Sequence, residues 1–210
     1  MTYAIKEMFY SLQGEGRNAG RPAVFCRFAG CNLWSGRERD RAKADCTFCD
    51  TDFVGTDGDG GGRFADAEQL AGAITTMWRG AGGQRLTVLT GGEPLLQVDE
   101  RLVDALHRRD FEVALETNGT LSAPASIDWV TVSPKGATRL VQNSGHELKL
   151  VYPQAGVDPR QFEALAFEHH LLQPLDGPEI DANTQAAIAY CLDHPQWRLS
   201  LQTHKFMGIR

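Results

Sequence analysis

Seven short apolar runs recur along the chain, at residues 23–28, 86–89, 112–115, 129–132, 147–151, 170–172 and 198–201. Most are continuously apolar rather than alternating, the pattern of strands covered on both faces of a parallel sheet. Segments of helical period lie between several of them, at residues 65–79, 99–109, 159–168 and 183–193. The last two open after Asp158 and Asp181, whose side chains can accept from the free N–H groups of a first turn. Strand and helix in alternation, joined by right-handed crossovers, build either an open doubly wound sheet or a barrel, and the layout does not choose between them. One stretch, GTDGDGGG at residues 55–62, has too many glycines for a regular element and reads as a flexible loop.

The composition narrows the class. With 42% apolar and 23% charged residues the chain is ordinary globular protein, which excludes a disordered tail. Net charge is −6, and the only dense basic stretch, at residues 37–41, alternates with acidic residues, so a nucleic-acid substrate is not expected. No run approaches the roughly 18 apolar residues of a membrane span. The first ten residues carry Lys6 and Glu7 within their apolar stretch, so no targeting segment is read there and the expected location is the cytoplasm. A chain of 210 residues buries roughly 70% of its unfolded surface without help from metals, so any metal site should serve function.

Ligand sites in parallel α/β folds lie beyond the carboxyl ends of the strands. There the sequence places Thr90-Gly91-Gly92-Glu93-Pro94, Glu116-Thr117-Asn118-Gly119, Ser133-Pro134-Lys135, Gln173-Pro174 and Gln202-Thr203-His204-Lys205. After the first run, Cys31, Cys46 and Cys49 crowd into nineteen residues. A CxxC such as Cys46-Thr47-Phe48-Cys49 can be a zinc half-site, a redox dithiol or part of an iron–sulfur motif. Zinc lacks a second ligand pair, and a dithiol leaves Cys31 unexplained. Three thiolates suit a [4Fe–4S] cluster with one iron left open. Cys26 and Cys191 sit in apolar patterns, Cys191 in a helical stripe with Ala187, Ile188 and Leu192, and read as core.

This loop resembles the cluster loop of the radical S-adenosylmethionine (SAM) superfamily, usually CxxxCxxC with an aromatic before the third cysteine. Phe48 fits the aromatic, and Gly91-Gly92-Glu93-Pro94 fits the superfamily's GGEP motif. The first spacing departs, with fourteen residues between Cys31 and Cys46 and Ser35 at the usual second position. An insert at residues 35–45 accounts for it, folding as a small solvated excursion; lengthening a loop costs only about 0.6 kcal/mol per doubling.

The finer pattern is similar to the 7-carboxy-7-deazaguanine synthase family, through Phe9-Tyr10-Ser11-Leu12-Gln13-Gly14-Glu15-Gly16, Phe28-Ala29-Gly30-Cys31-Asn32-Leu33, Cys49-Asp50-Thr51, Glu116-Thr117-Asn118-Gly119-Thr120, Ser133-Pro134-Lys135 and Gln202-Thr203-His204-Lys205. The chain is too short for eight strand–helix units of roughly 250 residues. The expected fold is therefore a single α/β radical SAM domain over residues 1–210, an incomplete TIM-like barrel of about six parallel strands with helices outside. The resemblance implies conversion of 6-carboxy-5,6,7,8-tetrahydropterin to 7-carboxy-7-deazaguanine, in queuosine and deazapurine biosynthesis. The implied route is hydrogen abstraction by a 5′-deoxyadenosyl radical, ring contraction, loss of ammonia and regeneration of SAM.

Implied cluster ligands are Cys31, Cys46 and Cys49, and Thr51 is the candidate ligand of a Mg²⁺ ion that the substrate helps to chelate. Implied SAM contacts are Thr90, Gly91, Gly92, Glu93, Glu116, Asn118, Ser133, Lys135 and Gln173, with the GGEP backbone and carboxylate on the methionyl amino group. For the substrate, Leu12 is implied as a contact, Gln13 and Glu15 can meet the pterin amino edge, and Arg27 can meet its carboxylate. Strand parity sets Arg27 opposite Val24, Cys26 and Phe28, and a buried ion pair is its alternative role. His204 is a further substrate contact, and Lys149 reads equally as cavity-facing or as an internal ion-pair partner. An external one-electron donor such as flavodoxin or ferredoxin and a homodimer complete the expectation. The rival within the superfamily is an activator of glycyl-radical enzymes; a ferredoxin-like carrier or a zinc protein would leave the rim motifs without purpose.

Overall fold

The computed structural model describes residues 2–136 and 138–210. Nine strands form one sheet: β1 (Tyr3–Leu12), β2 (Pro22–Phe28), β3 (Gly62–Phe64), β4 (Arg85–Gly91), β5 (Phe111–Thr117), β6 (Trp129–Val132), β7 (Ser144–Tyr152), β8 (Ala166–Pro174) and β9 (Trp197–Leu199), in the order β3-β1-β2-β4-β5-β6-β7-β8-β9. From β2 onward every neighbour is parallel, while β1 runs antiparallel to both β2 and β3. The edges β3 and β9 do not pair, so the sheet is open rather than a closed barrel. Seven parallel strands stand where about six were expected, with an antiparallel pair added at one edge.

Helices α1 (Ala67–Met77), α2 (Glu100–His107) and α3 (Ile180–Asp193) follow β3, β4 and β8, and a short α4 (Thr203–Met207) follows β9. Asp66 and Asp99 cap α1 and α2 by accepting from the backbone N–H groups of Gln69 and Leu102. Leu70 and Ile74 of α1 and Leu102 and Leu106 of α2 are fully buried against Val24, Cys26, Phe28, Leu89, Val113 and Leu115 of the strands. The opposite face carries a smaller apolar cluster toward the strand starts, Ala23, Phe25, Leu86, Val88 and Ala114, with Phe9 stacked on Phe25 at 5.1 Å. Beyond that floor, on the same parity, come Arg27, Thr90, Glu116 and Lys149.

Several segments differ from their sequence patterns for identifiable reasons. β1 shows no clean alternation because its register slips between Ile5 and Glu7, which shifts the buried parity from Tyr3 and Ile5 to Met8. Residues 159–168 hold only a 3₁₀ turn, Pro159–Phe162, which Asp158 caps; a turn follows, and the last three residues open β8, whose pairing with β7 runs from Ala166 to Pro174. Asp181 lies inside the first turn of α3 rather than capping it. The glycine-rich loop is pinned along β1, with the N–H of Gly58 on the Lys6 carbonyl at 3.0 Å and the N–H of Met8 on the Asp59 carbonyl at 2.8 Å, and its last residue opens β3. Cys191 packs at the core edge but Leu192 is 79% exposed, so the apolar stripe of α3 is narrower than its composition implies.

Leu102→Ala should lower unfolding free energy by about 2–5 kcal/mol, whereas Leu192→Ala should change it by under about 0.5 kcal/mol. Chemical denaturation of both variants measures the contrast, and equal losses would refute this placement of the core.

Candidate active site

A cavity of about 460 Å³ opens at the carboxyl ends of the parallel strands, on the face opposite the helices. It is lined by Cys46, Cys49 and Thr51 of the loop after β2, by Thr90, Gly91 and Gly92 at the end of β4, and by Glu116 and Asn118 at the end of β5. Ser133 and Lys135 follow β6, Gln173 ends β8, and Leu12, Gln13 and Glu15 come from the end of β1. Arg27 of β2 and His204 of α4 complete the wall. Of the residues singled out in the sequence, Cys31 and Glu93 are the two that do not line it.

The long cysteine spacing closes on itself. The N–H of Asp45 donates to the Leu33 carbonyl at 3.1 Å, so the two ends of the insert meet and Cys46 returns beside Cys31. The insert also braces the CxxC: Arg41 lies over the Trp34 ring at 4.1 Å and donates to the carbonyls of Thr47 and Cys49 at 2.9 and 3.0 Å. It is thus a support for the cluster loop as well as a solvated excursion. Cys46 and Cys49 hydrogen-bond to each other, which draws the Cys49 thiol down to about 6 against the opposing effect of burial, with the Thr51 N–H adding to the pull. Burial pushes the Cys31 thiol up, and Cys49 lies close enough to add to that rise.

Among the described residues no three His, Cys, Asp or Glu side chains converge on a point as they would around a single ion. The three thiols do form one group on one loop, the donor set of a cluster in which each thiolate holds its own iron. Cys26 is buried in the helix-facing core and Cys191 belongs to α3, so neither can complete the group. These residues fit an iron–sulfur cluster with one iron free of cysteine.

The GGEP segment also holds the strand ends together. Glu93 is wholly buried, and its carboxylate accepts from the Thr117 hydroxyl, the Asn118 N–H and the Leu95 N–H at 2.8, 2.8 and 2.9 Å. Burial pushes its carboxyl up, with those hydrogen bonds opposing. The carboxylate therefore ties β4 to β5 behind the cavity wall. The glycines are required by the close approach of backbones. A Cβ on Gly92 would lie 2.2 Å from the Gly30 carbonyl oxygen, and one on Gly91, at φ +143°, would lie 2.3 Å from that of Phe28. What the glycines approach is the root of the cluster loop, and this fixes the loop on the strand ends.

On the opposite wall, Glu15 is held from several sides. The Lys149 ammonium contacts Glu15 Oε2, and Gln202 Nε2 donates to Oε1 at 2.9 Å. Burial alone would raise the Glu15 carboxyl, but the Lys149 charge and these hydrogen bonds outweigh it and hold it at about 2. Gln13 accepts from the Glu15 N–H at 3.1 Å and donates from Nε2 to Glu116 Oε1 at 3.0 Å, and the Thr90 hydroxyl donates to Glu116 Oε2 at 3.1 Å. Arg27 faces the cavity and pairs with Glu7 at 2.9 Å. The His204 ring rests on Gly14, where a Cβ would come within 2.3 Å of Nδ1.

Residues given no role of their own in the sequence reading also reach this cavity. Glu7 shares the parity of Phe9 only after the register slip in β1. Arg210, at the far end of the chain, pairs with Glu7 and Asp59, and Lys205 bridges Asp50 and Asp176 at 2.9 and 2.5 Å. Such long-range pairings leave no local pattern.

A profile of the Radical SAM superfamily matches residues 41–147 of this chain. It is 64% identical over 209 residues to 7-carboxy-7-deazaguanine synthase of Caulobacter vibrioides and 65% identical over 210 residues to that of Bradyrhizobium diazoefficiens, each alignment covering 100% of both chains. The crystal structure of QueE from Escherichia coli superposes with a TM-score of 0.71 at 29% identity, over 96% of this chain and 94% of that one. An open, mostly parallel sheet, three thiols on one loop and a polar rim at the strand ends therefore accompany full-length likeness to named enzymes, and the chain belongs to the 7-carboxy-7-deazaguanine synthase family of the radical SAM superfamily.

Proposed function

We propose that the cavity converts 6-carboxy-5,6,7,8-tetrahydropterin to 7-carboxy-7-deazaguanine with loss of ammonia, each wall serving one ligand. The observation that carries this reading is the placement of the three-thiol loop and the Glu15–Gln13–Arg27 wall on the same cavity. Cys31, Cys46 and Cys49 would hold a [4Fe–4S] cluster, and the rim formed by Thr90, Gly91, Gly92, Glu116, Asn118, Ser133, Lys135 and Gln173 would receive SAM beside it. Once bound, cluster and SAM together supply the hydrogen-abstracting radical.

The chain's own residues bind, orient and exclude water. The ionised Glu15 carboxylate can accept two parallel N–H groups from the amino edge of a pterin, and Arg27 can pair with the pterin carboxylate. Leu12 and His204 would close the remaining sides. Glu93 acts in this reading as the brace of the SAM wall and not as a ligand. Thr51 is the proposed protein ligand of a Mg²⁺ ion, which typically completes its shell with water and groups of its substrate, here the pterin carboxylate. Thr51 follows the cluster ligand Cys49 and faces the cavity, which supports this assignment.

The curated relatives carry the synthase name, which favours a small acid over a protein substrate and hence over glycyl-radical activation. The same reading includes an external one-electron donor of the flavodoxin or ferredoxin type, a homodimer, and action in the cytoplasm. No described helix is long and apolar enough to cross a membrane. Anaerobic incubation with reductant, SAM and the carboxy-tetrahydropterin, followed by mass analysis for the deazaguanine acid, tests the conversion directly.

Replacing Cys31, Cys46 or Cys49 by Ala should abolish the SAM-accessible cluster, whereas Cys26→Ala and Cys191→Ala should retain it. Iron content and electron paramagnetic resonance decide, and loss in Cys26→Ala with retention in Cys31→Ala would reverse the ligand assignment. Glu15→Gln and Arg27→Ala should weaken pterin binding by about 2–5 kcal/mol while reductive SAM cleavage without pterin persists. Unchanged pterin affinity in both variants would refute the substrate wall. Turnover should rise with added Mg²⁺ and fall with chelator, and Thr51→Ala should blunt that response at constant iron content. A metal-free preparation with full turnover would remove both the ion and the role of Thr51.

A further inference from the structure

Lys149 sits in the middle of β7, its side chain only 8% exposed, and the rim motifs assign it nothing. Parity turns it into the cavity with Val151, where its ammonium contacts Glu15 and lies 3.9 Å from Glu116 Oε1. The two carboxylates come from elements distant in sequence, Glu15 from the turn after β1 and Glu116 from the end of β5. Gln13 links them further, accepting from the Glu15 backbone and donating to the Glu116 side chain.

Every charged group that faces this cluster can be named. Glu147, two residues earlier on β7, is occupied by the Arg17 N–H at 2.7 Å and the Thr131 hydroxyl at 3.2 Å. Lys135, from the segment after β6, adds positive charge near Lys149, and His204, from α4, lies near Glu15. Lys149 is the one cation in contact with Glu15, and it also stands within ion-pair distance of Glu116.

We propose that Lys149 is a positioning residue: seated between Glu15 and Glu116, its ammonium keeps the Glu15 carboxylate ionised and fixes it where the amino edge of the pterin meets it. The inference rests on the proposed role of Glu15 as acceptor for that edge. A buried carboxylate such as Glu15, with a second carboxylate nearby, is driven to take up a proton unless a counter-charge holds it, because burial and like charge disfavour the ionised form. A protonated Glu15 presents a hydroxyl donor in place of one acceptor oxygen and can no longer accept two parallel N–H groups. Loss of Lys149 should therefore make recognition of the amino edge fail as pH falls, whereas the native site should be insensitive over the same range. Burial opposes the Lys149 charge itself, and the pull of Glu116 and Glu15 exceeds that opposition, so the cation persists through neutral pH.

The experiment uses the reconstituted cluster-bearing enzyme, with iron content confirming that each variant is folded. Infrared titration between about pH 6 and about pH 8 reads the protonated-carboxyl band, and binding of the carboxy-tetrahydropterin is measured at both ends of that range. Wild type and Lys149→Arg should show no titrating band and a flat affinity. Lys149→Met and Lys149→Gln should each show a carboxyl titrating in the range and bind about tenfold more weakly at the acid end. Absence of that band in both neutral variants would overturn the role of Lys149. A band accompanied by pH-independent pterin affinity would uphold Lys149 as counter-ion and instead overturn Glu15 as the acceptor of the amino edge.

Discussion

The pleat of seven parallel strands is the constraint on which the rest of this molecule depends. Successive side chains leave a strand on opposite faces, so each strand here contributes one apolar row to the helices and one row to the concave side. On the concave side the row changes character along its length: Phe25 and Val88 belong to an apolar floor, while Arg27 and Thr90, two residues further on, reach the cavity. Because all seven strands point the same way, their polar ends gather at one rim. A mixed sheet of the same composition would scatter them between two.

The cluster loop is placed by backbone packing more than by its own sequence. Gly91 and Gly92 let the end of β4 lie against Phe28 and Gly30 at distances no side chain would permit. Glu93, just beyond, is buried and bonded to Thr117 and Asn118, which locks β4 to β5 below the rim. The insert adds a third hold through Arg41 and the junction of Asp45 with Leu33. Three thiols spread over nineteen residues of chain thus occupy one place, although only Cys31 is close in sequence to β2.

The opposite wall is electrostatic. Glu15 and Glu116 share Lys149, and Arg27 and Arg210 share Glu7. A buried ion pair stabilises weakly in net terms, since desolvation offsets much of the attraction. Its value here lies in geometry, because each charged group is held in place on the cavity wall.

The sequence by itself determined the runs of the parallel strands, the helical period of α1 and α2, the three-thiol loop and the inward parity of Arg27, since each follows from a local period or a short spacing. It also carried the family resemblance, because the rim motifs are short and contiguous. It misread residues 159–168, where pairing of β8 with the full length of β7 overrides a helical pattern, and it could not see the slip in β1 that brings Glu7 into the cavity. It showed the GGEP motif but not the Thr117 and Asn118 bonds that tie its Glu93 to β5. Only the tertiary structure decided that Lys149 meets two carboxylates, from the turn after β1 and from β5, and that Lys205 and Arg210 close the far side. Those pairings join residues up to 203 positions apart, and no local period or spacing encodes a contact made across the sheet.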